Sequence, residues 1–120
     1  MPMIAMALPI PPEKYSKFRE TVLSFAGARR AEFDARCRRM GMERECIWVQ
    51  ETPQGPMEIL IIETADPAKL FERLATSQEP FDVEFRAFVL DIYGIDLTKP
   101  MPAPLPEQLM DWSATQTVTA

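Results

Sequence analysis

Arginines are the side chains of this sequence best suited to chemistry, because most of them are concentrated in one segment. Six of the nine arginines fall between residues 29 and 44, where only three acidic residues accompany them. The guanidinium group is permanently charged, and its planar fork of N–H donors matches a carboxylate or a phosphate. At about 100° per residue, Arg29 and Arg36 fall on or beside the apolar stripe of a predicted helix. A charge in that position needs a partner.

Three interpretations of these two arginines remain open. Each could pair with an acid of the same chain, and the candidates are Glu51, Glu63, Asp91 and Asp96. A change of helix phase at Gly27 would instead turn both side chains outward. The third interpretation is an anionic ligand. Nucleic acid is not an expected partner, since acidic residues interleave the segment, no aromatic series accompanies it and the chain carries a net charge of -5.

Three polar or aromatic side chains add to the candidate site. Trp48 and Gln50 share a predicted strand face with Cys46. If that face meets the helices, these residues line a cavity together with Phe33, Phe85 and Tyr93. An apolar pocket with one amide, one phenol and one guanidinium is a normal small-molecule site, and it is equally a normal core. The candidate ligand-binding residues are Arg29, Arg36, Trp48, Gln50 and Tyr93.

Histidine is absent from the sequence, which removes the usual metal ligand and the usual acid/base at neutral pH. Cys37 and Cys46 do not complete a zinc site without histidine, and they do not form a CxxC redox pair. We therefore expect no metal and no cofactor. An enzyme built from this chain would need an acid, tyrosine or water to deprotonate a substrate. Two carboxylate pairs fit a solvated surface better than an acid/base dyad: Asp82 with Glu84, and Glu43 with Glu45.

Length and composition favour one soluble domain. The chain has 120 residues, of which 47% are hydrophobic and 26% charged, as in packed globular proteins. No apolar stretch approaches the roughly 18 residues that a membrane span needs. The apolar residues 1–12 lack the basic start of a signal peptide and contain four prolines. We expect a cytoplasmic protein with reduced thiols and no membrane partner.

Hydrophobic periodicity predicts the order of the secondary-structure elements. Residues 3–10 are apolar at both parities and predict a strand, whereas residues 13–40 follow a helical period with a bend or break at Gly27. A two-stranded hairpin, two shorter helices and a short fourth strand follow: their predicted ranges are 44–52, 57–64, 66–76, 81–93 and 95–97. Gly41 and Gly94 are the predicted helix ends.

The chain divides into a predicted domain, residues 1–98, and a C-terminal arm, residues 99–120. Prolines at positions 100, 102, 104 and 106 make the arm stiff and extended. Residues 113–120 are expected to fray. Four apolar side chains indicate that the arm docks on a surface: Leu105, Leu109, Met110 and Trp112.

The order strand, helix, strand, strand, helix pair, strand predicts an α+β fold of the ferredoxin-like βαββαβ type, an antiparallel sheet with helices on one face. Strands that are apolar on both parities leave the other face apolar as well. A second copy packing sheet to sheet would cover that face, giving a homodimer of the dimeric α/β-barrel kind with the arm as a clasp. The alternative is a monomer whose own arm covers the sheet.

The same sequence also carries a family resemblance. The motifs are ARRAEFDARCRRMGMERECIWVQETPQG (28–55), DP (66–67), EPFDVEF (79–85), IYGIDL (92–97) and a proline tail that ends in DW (111–112). Over about residues 3–112 the chain resembles an uncharacterised family of small bacterial ferredoxin-like proteins related to the dimeric α/β barrels. The resemblance implies the fold and brings no known reaction. The related barrels include cofactor-free monooxygenases and haem-degrading enzymes, whose catalytic histidines have no counterpart here.

Two functions remain open at this point. The first is binding of a small apolar molecule with an anionic or carbonyl group in a pocket between sheet and helices, with cofactor-independent catalysis left open. Arg29 or Arg36 would hold the ligand beside Trp48 and Tyr93. The alternative is a non-catalytic dimeric structural or interaction module.

Overall fold

The fold is α+β, a three-stranded antiparallel sheet with four helices. The computed structural model describes residues 2–115. A single 3₁₀ turn, Pro12–Lys14, precedes the first helix. The strands are β1 (Met3–Pro9), β2 (Met42–Thr52) and β3 (Gly55–Thr64), and the helices are α1 (Tyr15–Ala26), α2 (Arg30–Met40), α3 (Pro67–Thr76) and α4 (Pro80–Tyr93). The predicted class and the antiparallel sheet are confirmed.

The sheet has the strand order β1-β3-β2, with the hairpin formed by β2 and β3 as predicted. Thr52 fixes the hairpin turn: its hydroxyl donates to the Gly55 carbonyl at 2.8 Å and accepts from the Gln54 N–H at 3.1 Å. Gly55 has a φ of 112°, which favours glycine. The hairpin therefore fixes the register in which Trp48 lies opposite Ile59.

The long helical segment is broken at Gly27, as the sequence predicts. The first helix ends at Ala26 and the second begins at Arg30. The carbonyl of Ser24 accepts hydrogen bonds from the N–H groups of both Gly27 and Arg29, at 3.2 and 2.7 Å. The break resets the helical phase, so α2 turns its own face to the sheet independently of α1.

The prediction of a fourth strand is wrong. Residues 95–97 form no strand, and they lead into a turn in which Asp96 Oδ1 accepts from the Thr98 N–H and hydroxyl at 2.9 and 2.6 Å. Residues 101–106 then run beside β1, next to Met6 and Leu8. Proline has no N–H to donate to a neighbouring strand. A segment with prolines at 102, 104 and 106 therefore covers the β1 edge without extending the sheet.

The core lies between one face of the sheet and the helices. One cluster joins Ile4 and Ile62 of the sheet to Met40 of α2 and to Leu70 and Leu74 of α3. A second cluster is centred on Ile10, Phe18 and Ile92. We call the face of the sheet that packs against the helices, and that includes Ile4 and Ile62, the inner face.

The outer face of the sheet is formed by the alternate residues of each strand. Ala5 and Ala7 of β1 lie opposite Ile61 and Ile59 of β3, and β2 adds Cys46, Trp48 and Gln50. Trp48 remains 53% exposed and Met3 46%. The face is thus mainly apolar and partly open to solvent, with Gln50, Arg44 and Glu63 as its polar side chains.

The C-terminal residues up to 115 form no regular structure. Their largest apolar side chains are strongly exposed, with Leu109, Met110 and Trp112 at 88%, 80% and 74%. The predicted fraying of residues 113–120 falls largely on residues 116–120, which lie outside the described residues. Across residues 2–115, no helix has the length and apolar character needed to cross a membrane.

Candidate functional site

A cavity of about 80 Å³ lies between the inner face of the sheet and helices α1 and α4. Its walls are mainly apolar, formed by side chains such as Met6, Leu8, Phe18, Leu60 and Phe88. Four polar side chains interrupt this lining: Arg36, Glu45, Glu58 and Tyr93. Apolar walls with a few convergent polar groups are the usual character of a small-molecule site.

Arg36 enters the cavity from the middle of α2. Its side chain is 2% exposed, and its Nη1 donates to Glu45 Oε1 at 3.1 Å. The guanidinium lies on the ring of Phe85, with Cζ 3.7 Å from the ring centroid, and 5.4 Å from that of Phe33. A carboxylate and two aromatic faces thus stabilise the buried charge.

One fully buried donor of this guanidinium has no partner in the described part of the chain. Arg36 Nε is buried and has no hydrogen-bond partner among residues 2–115. An unmade hydrogen bond at a buried donor costs about 1 to 3 kcal/mol.

Glu58 and Tyr93 form a second polar pair in the cavity. The Tyr93 hydroxyl donates to Glu58 Oε1 at 2.6 Å, and Glu58 is 6% exposed. Burial raises the pKa of Glu58, and the nearby charge of Glu45 adds to this, while the hydrogen bond from Tyr93 opposes it. Burial also raises the pKa of Tyr93, with Glu58 contributing. The shared proton therefore belongs to the tyrosine.

Sequence reasoning missed Glu58. The signal was available, because Glu58 has the parity of Leu60 and Ile62 in a strand that is otherwise apolar on both faces. A carboxylate on the core side of such a strand is costly without a partner. A buried carboxylate that is kept despite this free-energy cost is therefore a candidate functional residue.

Arg29 lies outside the cavity. Its Nε and Nη2 donate to Glu32, both at 3.0 Å, and its Nη1 and Nη2 donate to Glu84 at 2.8 and 2.6 Å. These hydrogen bonds raise the pKa of Arg29 further above its ordinary value. The surrounding groove between α1 and α4, about 500 Å³, opens to solvent. Arg29 thus has its donors engaged within the chain.

The internal acids that pair with the two arginines differ from those considered from sequence. They are Glu32 and Glu84 for Arg29, and Glu45 for Arg36. The interpretation of Glu45 as a solvated surface group is therefore wrong: its side chain is 5% exposed. The strand β2, which carries Glu45, begins just after α2 ends. The chain reverses direction there, which brings the Glu45 carboxylate next to Arg36 of α2.

Trp48 and Gln50 lie on the outer face of the sheet, opposite Ile59 and Met57. The Gln50 amide donates to the Glu51 carbonyl at 3.0 Å. The condition that this strand face meets the helices is not met. Of the five candidate residues, the structure brings only Arg36 and Tyr93 into one cavity.

Cys37 lies beside the buried ion pair, with Sγ 3.7 Å from Glu45 Oε1. Burial and the Glu45 charge raise the pKa of Cys37 to about 11. The thiol is therefore protonated at neutral pH and is a poor nucleophile.

Comparisons of the chain with protein-family models, curated proteins and solved structures give no match. The cavity's own residues therefore carry the functional conclusion.

Proposed function

We propose that this protein binds a short, mainly apolar molecule that has an anionic or carbonyl oxygen, in the cavity between sheet and helices. Arg36 is the anchor of the site, and Tyr93 and Glu58 form its second polar end. The observation that carries the proposal is the buried side chain of Arg36 in the lining of a mainly apolar cavity.

The cavity limits the size of the ligand. A volume of about 80 Å³ corresponds to the share of two or three liquid water molecules. A ligand of a few non-hydrogen atoms fits without rearrangement of the walls, and larger ligands require movement of the segment after α4, which supplies Ile95, Leu97 and Met101 to the lining.

Ligand-detected saturation-transfer NMR with butanone and propionate tests this proposal. We expect saturation transfer to at least one of the two probes, and at least a tenfold weaker affinity in the double variant Arg36→Met with Glu45→Leu. This variant removes the guanidinium without leaving Glu45 as a buried, unpaired charge. Arg30→Met, which changes an arginine of α2 whose side chain is 66% exposed, is the matched control and should bind as wild type.

Two results would overturn the binding proposal. One is the absence of saturation transfer to either probe with the folded wild-type protein. The other is equal affinity in wild type and in the double variant, since the oxygen of the ligand would then not contact Arg36.

A homodimer formed through the outer face of the sheet is the second proposal. Its support is the apolar outer face, on which Trp48 is half exposed, together with the exposed apolar side chains of the C-terminal arm. Each chain has both an apolar outer face and an apolar arm. In a dimer with a two-fold axis, the outer faces and arms of the two copies would cover one another. In this proposal each arm clasps the partner, and the assembly resembles the dimeric α/β barrels.

Sedimentation velocity tests the dimer. We expect a species of twice the 13.7 kDa chain mass, and a monomer after Trp48→Glu or after deletion of residues 107–120. Leu90→Glu is the matched control, because Leu90 is 50% exposed but lies on α4, away from the sheet. A monomeric wild type, or a dimer lost equally in Leu90→Glu, would contradict the outer face as the interface.

We infer further that the fold is a variant of the ferredoxin-like type, and that the chain belongs to the bacterial family it resembles. The strand order β1-β3-β2 supports this, since a fourth strand of that type would lie beside β1, where residues 101–106 run instead. A cytoplasmic location is supported by Cys37 and Cys46, which are both free thiols.

A further inference from the structure

We propose that the cavity catalyses proton transfer at the carbon next to the carbonyl group of a short, uncharged ketone or aldehyde, with Glu58 as the base and the Arg36 guanidinium as the donor to the carbonyl oxygen. This inference rests on the proposed binding function and deepens it in two ways. It selects a neutral carbonyl compound from the two ligand classes, and it assigns a reaction.

The charges in the cavity favour an uncharged ligand. Arg36 and Glu45 neutralise each other across 3.1 Å, and Glu58 has no cation among its hydrogen-bond partners. A carboxylate ligand would therefore meet a second buried carboxylate without a matching positive charge. A carbonyl oxygen needs only one donor, which the Arg36 guanidinium in the cavity lining supplies.

Arg36 and the Glu58–Tyr93 pair line the same cavity, which brings a donor and a base to one ligand. Tyr93 occupies Oε1 of Glu58, whereas no hydrogen bond within residues 2–115 reaches Oε2. That oxygen remains available to a C–H group of a ligand in the same cavity. Glu58 would be a catalytic residue, and Tyr93 a positioning residue that holds the carboxylate.

The reaction needs no oxidant, reductant or cofactor. The C–H bond next to the carbonyl breaks, and its proton moves to Glu58 Oε2. The electron pair of that bond forms the C=C bond of the enolate, and the carbonyl π electrons move to oxygen, where the Arg36 N–H stabilises the new charge. Return of the proton to carbon restores the ketone. In D₂O the proton on Glu58 exchanges with solvent before it returns, so that deuterium is incorporated into the ketone.

The burial of Glu58 supports its role as base. Within this cavity, the charged or titratable groups that face it are Arg36 from α2, Glu45 from β2 and Tyr93 from α4. Burial raises the pKa of Glu58, and a carboxylate with a raised pKa is a stronger base near neutral pH. The sequence has no histidine for this task.

Deuterium exchange into the methyl groups of acetone, followed by ¹H NMR in buffered D₂O, tests the reaction. We expect wild-type protein to accelerate exchange above the buffer rate, and Glu58→Gln to lower the enzymatic rate at least 100-fold. The amide of this variant can still accept the hydrogen bond from Tyr93, so the fold is retained. Glu51→Gln, an exposed change on β2, is the control and should exchange as wild type.

Tyr93→Phe tests the positioning role through the pH profile. This variant removes the hydrogen bond that lowers the pKa of Glu58. The midpoint of the exchange rate against pH should therefore move to higher pH, a shift that loss of stability alone would not produce.

Saturation transfer to acetone on the same samples separates the two proposals. Binding without accelerated exchange, or equal exchange in wild type and Glu58→Gln, would overturn the catalytic inference and leave the binding function standing. If wild type binds neither acetone, butanone nor propionate, both proposals fail. Accelerated exchange that disappears in Glu58→Gln, while binding persists, supports the inference.

Discussion

Arg39 and Asp82 join α2 to α4 through two parallel hydrogen bonds, 2.9 Å from Nε to Oδ2 and 2.7 Å from Nη2 to Oδ1. The Asp82 side chain is 1% exposed, and the Ser77 hydroxyl also donates to it. The interpretation of Asp82 as a solvated surface group is therefore wrong. Although burial alone would raise the pKa of Asp82, the hydrogen bonds from Arg39 and Ser77 outweigh it, and the pKa lies below its ordinary value.

The depressed pKa of Asp82 predicts a stabilising contribution that depends on pH. A group with a lowered folded-state pKa stabilises the fold above its unfolded pKa, about 3.9 for Asp, and loses that contribution as the pH falls through the folded value. We expect Asp82→Asn to lower the free energy of unfolding by about 2 kcal/mol at pH 7. The difference from wild type should be constant above about pH 5 and shrink below pH 4. Urea unfolding at several pH values measures it, and a difference that grows on acidification would contradict this assignment.

The Arg36–Glu45 pair predicts a non-additive response to substitution. Glu45→Leu leaves a buried guanidinium without its counter-ion and should cost about 3 kcal/mol. The double variant Arg36→Met with Glu45→Leu removes both charges from the core and should recover most of that loss. Urea denaturation of both variants and of Arg36→Met completes the cycle. Additive losses would show that the two side chains do not depend on each other.

Local patterning predicts the elements of this fold, whereas the partners of individual side chains depend on tertiary structure. The helix break at Gly27 and the hairpin around Gly55 follow from single residues with a known conformational effect. The prediction of a fourth strand was wrong for a different reason. Three residues after Gly94 do not reveal whether a free sheet edge is within reach, and the prolines that follow remove the donors that pairing would need.

The candidate site likewise combines features that local sequence patterns predict with contacts that only the tertiary structure determines. Helical periodicity places Arg36 on or beside the apolar stripe, but a change of phase at Gly27 would turn it outward. The structure shows that its side chain is buried. The identity of its partner could not be predicted, because Glu45 meets it only after the chain turns at Gly41 and returns along β2. Trp48 could not be assigned to a face, since β2 carries apolar residues at both parities. Only the pairing of β2 with β3 settles its position.

The environments of the two cysteines predict their reactivity. In a Cys46→Ser variant, Cys37 is the only thiol, and its pKa of about 11 leaves less than about 1% thiolate at pH 8. We expect alkylation by iodoacetamide at pH 8 to be at least tenfold slower than for the same protein unfolded in urea. Mass spectrometry of the alkylated protein measures both rates. Equal rates in the folded and unfolded states would contradict the burial of Cys37 beside Glu45.

The exposure of Trp48 predicts a fluorescence signal for the proposed dimer. The chain has two tryptophans, so Trp112→Phe leaves Trp48 as the only indole. In one copy Trp48 is 53% exposed and should emit as a largely hydrated indole. Packing of two outer faces would bury it among Ile59, Ile61 and their counterparts, and its emission should shift to shorter wavelength as protein concentration rises. The transition should coincide with dimer formation in sedimentation velocity and be absent when Ile59→Glu is added. A long-wavelength emission that stays constant while the protein dimerises would place the interface on another surface.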